Sequence, residues 1–128
     1  MTKHNPLERQ IHLGICQLLK LCAKPDVVFY HTANERRCSP REGAFLKTLG
    51  VLAGVPDFTI ITFPARVSFL EIKRPGGKLT EAQEQFRDRV EALGCTYAVA
   101  RSTDEAKRIL SEMGVLRNSD PVSIKRAA

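Results

Sequence analysis

Val67-Ser68-Phe69-Leu70-Glu71-Ile72-Lys73 is the stretch on which the fold turns. Its pattern is that of a strand, and the two-residue alternation of a strand puts Glu71 and Lys73 on the same face as Val67 and Phe69. A carboxylate and an ammonium end an otherwise apolar row. Opposite charges at the rim of a core need a reason, and the neighbouring sequence supplies one.

Upstream, residues 57–63 (DFTIITF) read as a second strand joined to 66–73 (RVSFLEIK) at Pro64-Ala65, so the two form a hairpin. Downstream, 74–78 (RPGGK) is a turn, and Thr80-Glu81-Ala82-Gln83 is a capping box. The helix it opens buries Ala82, Phe86, Val90 and Leu93 and stops at Gly94. Residues 95–102 (CTYAVARS) contain another strand, and Ser102 caps a last helix with Ala106, Ile109, Leu110 and Met113 on its apolar face.

Toward the N-terminus, Asn5-Pro6-Leu7-Glu8 reads as a helix start, followed by a stripe of Leu7, Ile11, Ile15, Leu18 and Cys22 that ends before Pro25. A short strand over 27–32 (VVFYHT) and a polar loop over 33–41 (ANERRCSPR) follow. Residues 42–50 (EGAFLKTLG) read as a short helix closed by Gly50 or Gly54. The order helix, strand, helical turn, hairpin, helix, strand, helix predicts an α/β sandwich around a mixed sheet, the strand after the crossover helix pairing parallel to the hairpin.

The 128 residues allow one domain with one sizeable core. Residues 1–116 are assigned to it, and 117–128, without periodicity, to a loose basic tail. There is no apolar run of about eighteen residues for a membrane span and no secretory h-region, so a cytoplasmic protein (bacterial, or of a phage-infected host) without membrane association is expected. Cys16, Cys22, Cys38 and Cys95 show no metal-ligand rhythm and read as reduced structural thiols. A formal charge of +6 and a pI near 9.4 favour a polyanionic partner, nucleic acid first, with basic residues gathered in 34–41, 73–78 and 123–128.

Asp57 opens the first hairpin strand and Glu71 lies on its partner. A three-residue turn over Pro64–Arg66 puts Asp57 opposite Lys73 on the face of Glu71, whereas a two-residue turn points it away. If the faces agree, Asp57 and Glu71 resist ionising together unless a cation sits between them, and Mg2+ or Mn2+ prefers such oxygen ligands. Lys73 beside that cation would position an attacking water. The bland alternative is a Glu71–Lys73 surface ion pair on an edge strand. Glu8 reads as a helix cap reaching Asn5 and as a further carboxylate aimed at the metal, roles that do not exclude each other, and Gln83 reads both as a capping-box residue and as an amide at the mouth of the site. His4, His12 and His31 show neither i, i+4 spacing nor a clustered loop, which argues for a non-ligand role, although His31 borders the loop of Asn34.

Pro56-Asp57, Glu71-x-Lys73, the Gly-rich turn after it and Gln83 occur in the order and spacing of the PD-(D/E)xK nuclease superfamily. Within it the chain most resembles the VRR-NUC family, which includes small stand-alone phage and bacterial proteins and the C-terminal domain of the Fanconi-anaemia-associated nuclease. The resemblance runs from Glu8 to about Leu110. It implies a restriction-endonuclease-like sandwich in which Asp57, Glu71 and the main-chain carbonyl of Ile72 bind Mg2+ or Mn2+, with Glu8 supporting. Lys73 serves the attacking water and Gln83 matches the family's glutamine. Asn34 matches a family loop residue near the substrate. Val99-Ala100-Arg101-Ser102 stands where the family has its VRR tripeptide, leaving Arg101 as the only arginine of that pair. Asn34, Arg36, Arg37, Arg74, Lys78 and Arg101 are then the DNA-contact candidates.

The expected activity is metal-dependent hydrolysis of DNA phosphodiesters without a small-molecule cofactor. A lone domain with no visible helix-turn-helix or zinc module has little surface for reading sequence, which favours recognition of DNA shape. A homodimer resolving four-way (Holliday) junctions is the leading expectation, because a two-fold pairs two sites with two symmetric strands. A flap or other branched-DNA nuclease and a non-catalytic nucleic-acid-binding protein are the alternatives.

Overall fold

The computed structural model describes residues 6–32 and 39–117. Helix α1 (Pro6–Cys22) leads through strand β1 (Val28–His31) to helix α2 (Pro40–Thr48), and β2 (Phe58–Thr62) and β3 (Arg66–Ile72) form the hairpin. Helix α3 (Glu81–Ala92), strand β4 (Thr96–Ala100) and helix α4 (Thr103–Glu112) complete the order. The sheet runs β1-β2-β3-β4, antiparallel except for the parallel β3–β4 pair that α3 makes possible by crossing over. This is the α/β sandwich around a mixed sheet that the sequence predicts.

Alternation along β3 decides what each face does. Leu70 and Ile72 turn into one core with Ile11, Ile15 and Leu19 of α1 and Ala106 and Leu110 of α4. Phe69 turns the other way and meets Phe86 of α3 edge-on, ring centroids 5.1 Å apart. Glu71 shares that second face, two residues along.

Four expectations shift. The buried stripe of α1 is Ile11, Ile15 and Leu19; Leu7, on the first turn, keeps the i, i+4 spacing of that stripe yet lies 43% exposed. Leu93 is exposed beyond the end of α3. Helix α2 starts earlier than expected, within the segment read as polar loop: Ser39 and Glu42 form a reciprocal capping box and Pro40 takes the first turn. Arg117, assigned to a loose tail, is tied down, its backbone N–H donating to Cys22 O at 2.7 Å; residues 118–128 lie outside the described residues.

Among the described residues no helix is long and apolar enough to cross a membrane. Cys16, Cys22 and Cys95 are free thiols, and Cys38 lies outside the described residues.

Candidate active site

The β2–β3 turn spans 63–65, flanked by the Thr62–Arg66 pair. It is the three-residue parity, but one residue earlier than Pro64–Arg66, so the register continues to set Asp57 level with Glu71 and not with Lys73. The Asp57 carboxylate takes over where the ladder ends: Oδ2 accepts the Ile72 backbone N–H at 2.8 Å. Its own carbonyl accepts from Thr32 N–H at 3.0 Å and His31 Nδ1 at 2.8 Å, which anchors it to the end of β1.

Glu71 is only 5% exposed. Its Oε2 accepts from Gln83 Nε2 at 3.1 Å and lies 3.7 Å from Lys73 Nζ. Burial pushes its carboxyl from the usual 4.5 up to about 8, the Asp57 charge adds to this and Glu8 adds a little more, while Lys73 and the Asp57 backbone N–H pull the other way. The aromatic wall of Phe69, Phe86 and Tyr97 on the same face supplies the low dielectric. Tyr97 answers to the same surroundings: burial first, then the Glu71 charge, raise its hydroxyl.

Gln83 does both things the sequence left open. Its Oε1 accepts the Thr80 N–H at 2.9 Å while Thr80 Oγ1 accepts the Gln83 N–H, so the capping box is closed. That pins the side chain with Nε2 on Glu71. Glu8 reaches 66 residues along the chain, its Oε2 accepting Arg74 N–H at 3.2 Å just past β3; its other suggested partner, Asn5, lies outside the described residues. Gly54 brings the loop before Asp57 against α3, with φ +81 and a position where a Cβ would lie 2.3 Å from Ala82 O.

Among the basic candidates, Arg101 holds the Gly-rich turn, its Nη2 and Nε donating to Gly77 O at 2.9 and 3.3 Å. Arg74 and Lys78 are exposed on that turn. Asn34, Arg36 and Arg37 lie outside the described residues.

Sequence spacing argues for a non-ligand role of the histidines, but the tertiary structure brings two of them to Asp57. One ligand atom each of His12, His31 and Asp57 lie within 4.8 Å of one another, a group able to hold a metal ion. The three residues come from α1, β1 and the loop before β2, so no spacing within a single element marks them.

A carboxylate just ahead of one hairpin strand, E-x-K at the end of its partner and a glutamine from the following helix define the PD-(D/E)xK class of nuclease folds. The VRR-NUC domain profile matches residues 20–104. The chain belongs to the VRR-NUC domain family, a family of nucleases. It is similar to a solved structure named as a VRR_NUC domain protein, with TM-score 0.70 and 22% identity over 86% of this chain and 89% of that one. A second, named as a VRR_NUC domain, gives TM-score 0.57 and 15% identity over 83% and 96%. At these identities the likeness is one of fold. No curated protein matches the chain.

Proposed function

We propose that this protein is a Mg2+- or Mn2+-dependent DNA endonuclease that resolves four-way junctions as a homodimer. The observation that carries the hydrolytic part is the convergence of Asp57, Glu71 and Lys73 at one sheet end, with Glu71 held as a proton-hungry carboxyl. Two carboxylates that oppose each other's ionisation are a poor structural device and a good cation trap.

Asp57, Glu71 and the Ile72 carbonyl would hold the cation, with Glu8 supporting from α1. When bound, it supplies charge neutralisation at the phosphate and a more acidic water. The chain's own groups supply the rest. The Ile72 N–H orients the Asp57 carboxylate, and Gln83 orients that of Glu71. Lys73, its side chain 12% exposed, sets its Nζ 3.7 Å from Glu71 Oε2, where it can position the attacking water or steady phosphate charge. Arg74 and Lys78 flank it on the exposed turn as phosphate contacts, and Arg101 shapes that turn through Gly77.

For the dimer, the supporting feature is α2. None of its residues is buried, and Phe45, Leu49, Val51 and Leu52 are exposed in and after it. Such an apolar run suits a self-complementary two-fold contact.

Labelled four-way junction, 5′ flap and plain duplex incubated with Mg2+, Mn2+ or EDTA test the reading. Cleavage confined to the junction, requiring divalent metal, leaving 5′-phosphate and 3′-hydroxyl ends and lost in Asp57→Ala and Lys73→Ala, is the expected result. Flap cutting by a monomer in sedimentation would replace the junction assignment, and DNA binding without cleavage in any metal would remove the enzyme.

A further inference from the structure

We infer that His12, His31 and Asp57 form a binding site for a borderline first-row cation (Mn2+, Co2+ or Zn2+) on the α1 side of Asp57, whereas Glu71 approaches Asp57 from the α3 side. The ligand atoms come from three elements: His12 from α1, His31 from β1 and Asp57 from the mouth of the hairpin. They lie within 4.8 Å of one another. Ligands bonded at about 2.0–2.2 Å sit roughly 3–4 Å apart around a cation, so small side-chain rotations close the site.

The rings are held ready. His12 and His31 meet edge-on with centroids 4.4 Å apart, and both rest on Phe58, at 4.9 and 5.8 Å. Phe58 is 1% exposed and sits in the core shared with α1, so its ring is a fixed floor. His31 Nδ1 faces the Asp57 carbonyl at 2.8 Å, an acceptor only, so in the neutral ring Nδ1 carries the proton and Nε2 is the nitrogen that can bind a cation. A metal-binding imidazole has this arrangement, its second nitrogen donating to a carbonyl that fixes tautomer and orientation. Asp57 is likewise oriented through the Ile72 N–H. Two imidazoles with one carboxylate suit Mn2+, Co2+ and Zn2+ and suit Mg2+, which prefers oxygen and water, poorly.

What the site does rests on the nuclease reading: a cation there adds positive charge on the far side of Asp57 from Glu71, and makes Mn2+ support cleavage better than Mg2+. Its existence does not rest on that reading, and the test uses no DNA. Tag-free, EDTA-stripped protein is titrated with Co2+ alone and followed by its visible d–d absorption. His12→Phe keeps a ring on Phe58, and His31→Asn keeps an N–H for the Asp57 carbonyl without Nε2. Each is expected to weaken the cobalt spectrum's midpoint at least about tenfold, while Glu71→Gln leaves the spectrum in place. If a histidine variant does not fold, His12→Gln or His31→Gln takes its place. No binding, a spectrum unchanged in the histidine variants, a spectrum lost in Glu71→Gln, or a thiolate-to-cobalt charge-transfer band would each overturn the site. A histidine-dependent spectrum in a protein that cuts no DNA would uphold the site and remove the nuclease reading instead.

Discussion

Asp57 and Glu71 stand level across the open end of the β2–β3 hairpin, and each leans on the other's strand. The Asp57 carboxylate accepts the backbone N–H of Ile72, next to Glu71, while the backbone N–H of Asp57 favours the ionised form of the Glu71 carboxyl. Hairpin register thereby becomes site geometry: whatever holds the two strands in pairing also holds the two carboxylates at a fixed separation. Burial and mutual repulsion then make Glu71 the group that titrates.

That titration gives the metal-free protein a pH-dependent stability. The folded state holds the Glu71 proton to about pH 8, whereas the unfolded chain releases it near 4.5. The contribution is fully present below 4.5 and is lost as pH rises through about 8, at no more than about 1.4 kcal/mol per pH unit. Thermal unfolding in EDTA should show a melting temperature falling between pH 5.5 and 8, and Glu71→Gln should flatten the fall. A slope equal in the variant would mean that Glu71 does not carry it.

Asp57→Asn and Asp57→Ala should separate charge from hydrogen bonding. Asparagine keeps an acceptor for the Ile72 N–H and removes the charge that helps raise Glu71. The Glu71 carboxyl should titrate lower, by side-chain carbonyl NMR, with the fold at least as stable as the parent. Alanine leaves the N–H without its partner and should cost about 1 kcal/mol more than asparagine.

Thr80→Ala and Gln83→Ala break the same capping box, so each should cost about 1 kcal/mol in denaturant unfolding. Only Gln83→Ala also removes the donor to Glu71. Cleavage should therefore fall roughly 10–100-fold in Gln83→Ala and stay near parental in Thr80→Ala. Equal activity losses would reduce Gln83 to a cap.

Gly54→Ala and Gly50→Ala form a second pair. Both positions have positive φ, so both substitutions incur about 1–2 kcal/mol of backbone strain. At Gly50 the new methyl meets nothing within 4 Å, whereas at Gly54 it meets the Ala82 backbone at 2.3 Å. Gly54→Ala should be clearly the less stable in thermal unfolding, and its displaced loop should weaken metal binding through Asp57. Matching melting temperatures would show that the loop yields freely.

Much of the fold was legible because its signals are local. Alternation in 67–73, the capping box at Thr80, the N-cap at Ser102 and the turn at 74–78 each act over a few residues, and each appears as read or nearly so. Errors fell where a local rule had a competitor: Leu7 fits the apolar period yet lies exposed, and Ser39-Pro40 look like loop yet cap α2.

The amino-acid order alone determined that one face of β3 ends in Glu71 and Lys73, that Gln83 opens α3, and that an acidic residue stands just ahead of the partner strand. It could not choose between two turn lengths, because one residue of slip reverses every side chain. Only the folded molecule decided that Asp57 is level with Glu71, that Glu8 reaches Arg74, and that His12 and His31 meet over Phe58 beside Asp57. Contacts across 66 or 26 residues carry no periodic trace in the chain, since they arise when a helix and a sheet, each patterned for its own burial, are packed against one core.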